Sequence, residues 1–188
     1  MALIAVPVPK DRNLYLAKQV DQGSMNELSR AIIDINQDDK YIAKIAELNG
    51  MTYTPKPITI YIDSYGGYVY QCLGLLGIMG KSEVAIHTIV TGAAMSCGFL
   101  ISISGHKRFA YDGATLMYHQ VSSGTGGKLK EMEEDVMETK RLQKILESHT
   151  IAKTKLTKKQ LKENFEAKKD WFMNSKEALK FGVIDEIV

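Results

Sequence analysis

The sequence predicts an α/β fold with right-handed crossovers, and three observations predict it. Short β-branched or apolar runs alternate with helix-period segments along the chain. Two of those runs pass straight into corners of small residues and then into helices, at "DSYGGYV" and "GAAMSCGFL". No fixed-period repeat and no linker divides the chain, so its 188 residues read as one domain, 1–188, with a real core.

The elements follow in order. "NLYLAKQV" (Asn13 to Val20) reads as a short strand. "SMNELSRAIIDIN" reads as a helix, with Ser24 and Glu27 as a capping box and Leu28, Ile32 and Ile35 on one face. Asp38 to Gly50 reads as a second short helix with an Asp start and a Gly stop. "TYTPKP" breaks the chain, and "ITIYI" (Ile58 to Ile62) is apolar and branched enough for a buried strand. A two-glycine turn leads to an apolar helix, Tyr70 to Met79. "EVAIHTIV" is the next strand and "SCGFLISIS" the next helix.

"KRFAYDGATLMYHQ" reads as a hairpin about Asp112-Gly113, because Asp-Gly favours the tight turns that join antiparallel strands. "SSGTGG" reads as flexible. A long charged helix runs from Lys128 to about Ala152, with Leu129, Met132, Val136, Leu142, Ile145 and Leu146 roughly on one side. "LTKKQLKENF" and "NSKEALKFG" are two more helices, the second capped by Asn174 with Glu177 and ended by Gly182. "GVIDEIV" closes as a strand.

Net charge is +2, from 24 basic and 22 acidic residues, too balanced to argue for nucleic acid or an anionic membrane as partner. The lysines of "KTKLTKKQLK" (Lys153 to Lys162) read as a solvated helix face. Two cysteines, Cys72 and Cys97, are too few for a disulfide scaffold or a zinc site, and a reducing compartment fits. The opening "MALIAVPVPKDR" lacks a basic flank and is interrupted by prolines, so it makes a poor signal peptide. No run approaches the ~18 apolar residues of a membrane span. The expectation is a soluble cytoplasmic protein that needs no cofactor or metal.

Ser96 follows a strand and a Gly-Ala-Ala turn and opens a helix, where free N–H groups favour negative charge. Its surroundings resemble a nucleophile elbow with the first glycine replaced; a helix cap at a crowded corner is the plain rival. A nucleophilic serine needs a base. Of the four histidines, His106 reads as an exposed turn residue, His149 as a helix-face residue and His87 as a strand residue. His119 ends a strand beside the Gly-rich segment, where active-site groups tend to sit. Asp170, in "AKKDWFM", is the candidate to orient that base. Gly66 and Gly67 can aim N–H groups at an oxyanion. An α/β-hydrolase order would require Ser96, Asp112 and His149, placing the acid in a hairpin turn and the base inside a charged helix, and ranks below.

These residues resemble the Clp protease proteolytic subunit (ClpP) family of serine peptidases. "GAAMSCGFL" is similar to that family's nucleophile segment, one residue shorter between serine and phenylalanine. "LMYHQ" is similar to its base segment, "DSYGGYV" to its oxyanion segment with Tyr65 where the family has proline, and "KKDWFMNSKEALKFGVIDEI" to its closing stretch. The resemblance spans about Asn13 to Val188. It implies Ser96 as nucleophile, His119 as base and Asp170 as orienting acid, with the N–H groups of Gly67 and Cys97 as oxyanion hole. It implies an extended polypeptide substrate paired by strand addition near Gly66, Gly67, Tyr68 and Val69 and near Gln120, Val121 and Ser123. The fold implied is crotonase-like, of ββα units with a long protruding interface helix.

The assembly implied is a pair of stacked heptameric rings, a tetradecamer fed by an ATP-dependent unfoldase of the Clp type. Relative to the family, only about a dozen residues precede the first strand, and Gln37 to Pro57 reads as an insertion. A compact member, of phage or head-maturation type among others, fits. The rival classes are a catalytically silent or regulatory ring subunit and a crotonase-type acyl-CoA enzyme, in which the Ser-His pair would have no role.

Overall fold

The computed structural model describes residues 11–188; the reading of the opening segment as a poor signal peptide lies, for residues 1–10, outside the described residues. The strands are β1 (Asn13–Leu16), β2 (Ile58–Ser64), β3 (Ile86–Met95), β4 (Lys107–Ala110), β5 (Thr115–Tyr118), β6 (Trp171–Asn174) and β7 (Glu186–Ile187). The helices are α1 (Gln22–Leu48), α2 (Val69–Lys81), α3 (Cys97–Ser102), α4 (Leu129–Lys153), α5 (Lys158–Ala167) and α6 (Ser175–Lys180).

One sheet carries the architecture, in the order β1-β2-β3-β4-β7 with every pairing parallel. β5 adds a further parallel pairing to β3, and β6 runs antiparallel on β5. In β2, Ile58, Ile60 and Ile62 are buried, while Thr59 and Tyr61 between them are only partly covered. That is the period of two expected of a pleated strand with one face on the core. Leu28, Ile32 and Ile35 of α1, Cys72, Leu75 and Met79 of α2, and Phe99 and Ile101 of α3 complete one cluster with the sheet. The α/β class with parallel strands and helical crossovers is therefore as the sequence predicts.

Several elements differ from expectation. β1 ends at Leu16, and Val20 returns only as a single bridge to Gly67. The cap of α1 is Asp21 rather than Ser24: the Asp21 carboxylate accepts from the Ser24 N–H at 2.8 Å, and the Ser24 hydroxyl accepts from the Asp21 N–H at 3.0 Å. The predicted second helix at Asp38 to Gly50 is the continuation of α1, which runs unbroken to Leu48. Asp38 looks like a helix start in sequence because Asp favours caps. In the fold Asp39, next to it, is buried, receiving Arg12 Nη1 at 2.8 Å, the Tyr53 hydroxyl at 2.5 Å and Arg12 Nη2. That contact fastens the Gln37 to Pro57 segment to the residues before β1.

The predicted hairpin at Asp112-Gly113 does not form. β4 and β5 both pair in parallel with β3, β4 along His87 to Val90 and β5 along Ala93 to Met95. The Asp-Gly turn steps the chain from one half of the ten-residue β3 to the other. A strand that the sequence did not announce, β6, lies on β5, with Tyr118 opposite Trp171.

α4 is divided along its length. Leu142, Gln143, Leu146 and Thr150 are buried, whereas Leu129, Val136 and Met137 are 67%, 44% and 62% exposed. Its first turns project from the body, as the expected protruding helix does. Among the described residues no helix is long and apolar enough to cross a membrane.

Candidate active site

β3 stops at Met95 and α3 starts at Cys97, so Ser96 alone turns the corner. Its backbone sits at φ 54° and ψ −121°, on the positive side that a non-glycine residue enters only under constraint. The constraint is visible. The Ser96 N–H donates to the Met117 carbonyl of β5 at 3.0 Å, and the Ser96 carbonyl accepts from the Leu100 N–H at 3.2 Å. The Ser96 side chain caps nothing, so the helix-cap reading fails and the hydroxyl is left for other work.

The small residues around it answer to a close approach of two corners. The turn after β2 lies against the elbow: a Cβ on Gly66 (φ 95°) would stand 2.6 Å from the Met95 carbonyl oxygen and 2.7 Å from Ser96 Cβ. A Cβ on Gly67 (φ 151°) would stand 2.2 Å from the Val20 carbonyl oxygen. Val20 pins this turn from outside, its N–H donating to the Gly66 carbonyl and its carbonyl accepting from the Tyr68 N–H, both at 2.8 Å. The Ser64 hydroxyl donates to the Lys18 carbonyl at 2.6 Å and accepts from the Gly66 N–H at 3.2 Å. The N–H groups of Gly67 and Cys97 are not consumed by these backbone bonds among the described residues. Both residues border the same cavity as Ser96.

A cavity of about 90 Å³ opens there. Ser96, Cys97, Gly67 and His119 line it together with Val69, Gln120 and Val121, so seven of the predicted site residues converge. Gly66 lies behind Ser96, and Tyr68, 61% exposed, is outside the lining. Asp170 is exposed, stands one residue before β6, and does not line the cavity. Among the described residues no hydrogen bond joins Ser96 to His119 or His119 to Asp170.

The other histidines are engaged elsewhere. His149 Nε2 lies 2.8 Å from the Ser104 hydroxyl, and burial holds its pKa below the ordinary histidine value. His106 Nδ1 accepts from the Ile86 N–H at 3.0 Å. His87 packs its ring against Phe109. Asp112 sits exposed in its turn, so Ser96, Asp112 and His149 do not assemble.

Three contributors were not picked out from the sequence as part of the site. Leu146 of α4 closes one wall of the cavity. Gln143, one turn earlier, is buried and its Oε1 accepts the Val121 N–H at 2.7 Å, which fixes the segment following His119. Its amide nitrogen donates to Glu147 at 2.8 Å. Tyr118 packs edge-on against Phe99, and burial pushes its phenol up to about 12. The signal available was the apolar and amide face of α4 at Leu142, Gln143 and Leu146, which the Gly-rich loop must meet on leaving the sheet. Among the described residues no group of three or more His, Cys, Asp or Glu converges as a metal ion needs.

The family model described as Clp protease matches residues 8–188. The chain is similar to the ATP-dependent Clp protease proteolytic subunit of Streptococcus mutans serotype c, 35% identical over 164 residues that make up 83% of this chain and 80% of the relative. The subunit of the same name from Streptococcus pyogenes serotype M5 is 33% identical over the same shares of the two chains. That from Mesostigma viride is 28% identical, over 95% of this chain and 72% of its own. The match covers nearly the whole length, from before the first strand of the sheet to its last, and the chain belongs to the Clp protease family.

Proposed function

We propose that this chain is a serine endopeptidase subunit that hydrolyses polypeptides within a ring-shaped chamber. The single observation that carries the reading is the uncapped Ser96 hydroxyl, held at φ 54° over a cavity it shares with His119. The names of the relatives, proteolytic subunits of Clp proteases, support it.

In this reading Ser96 Oγ attacks the substrate carbonyl and His119 takes its proton. The oxyanion settles on the N–H groups of Gly67 and Cys97. His119 then gives the proton to the leaving amine, and a water, activated by the same histidine, releases the acyl group and restores Ser96. Asp170 orients the imidazole and stabilises its charged form once it turns toward His119. An extended substrate adds a strand along Gly66 to Val69 and Gln120 to Ser123, which makes cleavage weakly sequence-specific.

The chamber is built from copies of the same chain, as stacked rings joined through the projecting half of α4, with an ATP-dependent unfoldase supplying polypeptide in the cytoplasm. The exposure of Val136 and Met137 supports that contact. Burying two such side chains contributes roughly 3–6 kcal/mol per subunit, at ~1.5–3 each. A second reading, a catalytically silent ring subunit, is favoured by the lack, among the described residues, of a hydrogen bond between His119 and Asp170, the latter exposed. Intact-mass measurement with a fluorophosphonate probe decides between them. Labelling of Ser96, abolished in Ser96→Ala, is expected; an unlabelled wild type that hydrolyses no peptide overturns the peptidase reading.

A further inference from the structure

We propose that Cys72 and Cys97 are a redox pair which hydrogen peroxide closes into a disulfide, switching off the elbow. The two cysteines, 25 positions apart on α2 and α3, are the only ones in the chain, and both are buried against each other. The Cys72 thiol donates to the Cys97 carbonyl at 3.6 Å, and the Cys97 thiol donates to the Gly67 carbonyl at 3.3 Å. Cys97 also lines the cavity beside Ser96, whereas Cys72 stands behind it. Cys97 is therefore the residue of the pair that borders the cavity, and Cys72, behind it, is the one that would resolve it. The neighbouring Cys97 side chain raises Cys72 well above the ordinary cysteine value, with burial adding to it. The Cys72 side chain holds Cys97 below the ordinary cysteine value, against the effect of its own burial.

The chemistry balances with peroxide as oxidant. The Cys97 sulfur attacks one peroxide oxygen, the O–O bond breaks, an S–O bond forms, and the departing hydroxide leaves as water with a proton. Cys72 sulfur then attacks the sulfenic sulfur, the S–O bond breaks, the S–S bond forms, and a second water carries off the Cys72 proton. Two thiols lose two electrons and one peroxide becomes two waters. An S–S bond of about 2.05 Å draws Cys97 toward α2 and away from the Gly67 carbonyl. The Cys97 N–H is next to Ser96 in the chain, so it moves too. The oxidation does not depend on the peptidase reading; its effect on turnover does.

The test uses the whole chain. After graded peroxide, the intact mass under non-reducing conditions is expected to fall by two hydrogens with no crosslinked dimer. Peptide hydrolysis is expected to drop about 10²-fold, the effect of losing one oxyanion donor, and to return with dithiothreitol. Cys72→Ala under the same peroxide is expected to carry a dimedone-trappable sulfenic acid on Cys97 and no disulfide. Free thiols that persist in the wild type, oxidation to sulfinic acid without an S–S bond, or a disulfide that leaves turnover unchanged would each overturn the proposal. A chain that closes the disulfide reversibly but never hydrolyses peptide supports the thiol pair and fails the peptidase reading instead.

Discussion

His119 and Asp170 each stand one residue beyond the Tyr118–Trp171 pair that ends the antiparallel β5–β6 ladder, so the register sets them across from one another at the sheet end. No hydrogen bond joins them among the described residues, and Asp170 is exposed. In the proposed mechanism the acid therefore reaches its histidine by a side-chain movement, with no change of register.

Asp170→Asn is expected to leave the melting temperature unchanged, because the carboxylate is exposed and has no hydrogen-bond partner among the described residues, and an exposed substitution of that kind stays within about 0.5 kcal/mol. Turnover should fall by roughly 10⁴, the effect of the wrong imidazole tautomer. Thermal denaturation and peptide hydrolysis measured on one preparation check both halves. A kcat within tenfold of wild type removes Asp170 from the site.

Ser96→Gly and Ser96→Ala should both abolish hydrolysis, but they should differ in stability. Backbone held at φ 54° and ψ −121° strains a residue with a Cβ by about 1–3 kcal/mol, and glycine relieves most of that. The glycine variant should unfold at higher urea than the alanine variant. Equal midpoints would mean that the elbow is not strained.

Val136→Glu should fold normally, since the side chain is already 44% exposed, and should sediment as a smaller species than wild type. If the variant sediments as the wild type does and keeps its activity, the projecting half of α4 is not a subunit contact; a monomeric wild type would remove the chamber.

Acid should expose the Asp39 cluster. Burial by itself would raise the Asp39 pKa, but hydrogen bonds from Arg12 and Tyr53 outweigh it and hold the carboxyl below its ordinary value. A depressed folded pKa contributes stability that is fully present above the unfolded value, about 3.9, and is lost as pH falls through the folded one. Urea midpoints should therefore fall between about pH 5 and pH 2 more steeply in wild type than in Asp39→Asn. Asp39→Ala, which strands the Arg12 guanidinium, should lose about 3–5 kcal/mol at neutral pH. Parallel pH profiles for wild type and Asp39→Asn would rule the cluster out as the acid-sensitive point.

The sequence shows most plainly what is decided locally. The elbow after β3, the glycine turn after β2 and the cap at Asn174 depend on residues adjacent in the chain, and each is where the sequence puts it. What is decided at a distance was misread. Asp112-Gly113 carries a strong hairpin signal, but a ten-residue β3 offers β4 and β5 separate stretches of parallel edge, and that offer is invisible from the turn. The Asp38-Asp39 pair looks like a helix start until Arg12, 27 residues before Asp39, is in place. β6 is four residues long and exists because β5 has a free edge. In the site, Ser96, His119 and the glycines were legible because each lies at the end of a strand. Gln143 was not, because its bond to the Val121 N–H appears only once α4 has folded back.

The division of α4 also bears on amide hydrogen exchange. Its rear half is buried in the body through Leu142, Leu146 and Thr150, against α3 and α5, and opens only when the core does. Its front half rests on contacts such as Tyr70 with Glu138 and Thr125 with Asp135, all at exposed side chains. A helical stretch with so little burial has little more than peptide-helix stability. In the isolated subunit one continuous helix should thus divide into a fast-exchanging and a slow-exchanging segment, with the boundary near Arg141. Whatever covers the front half would reveal itself by slowing the fast one.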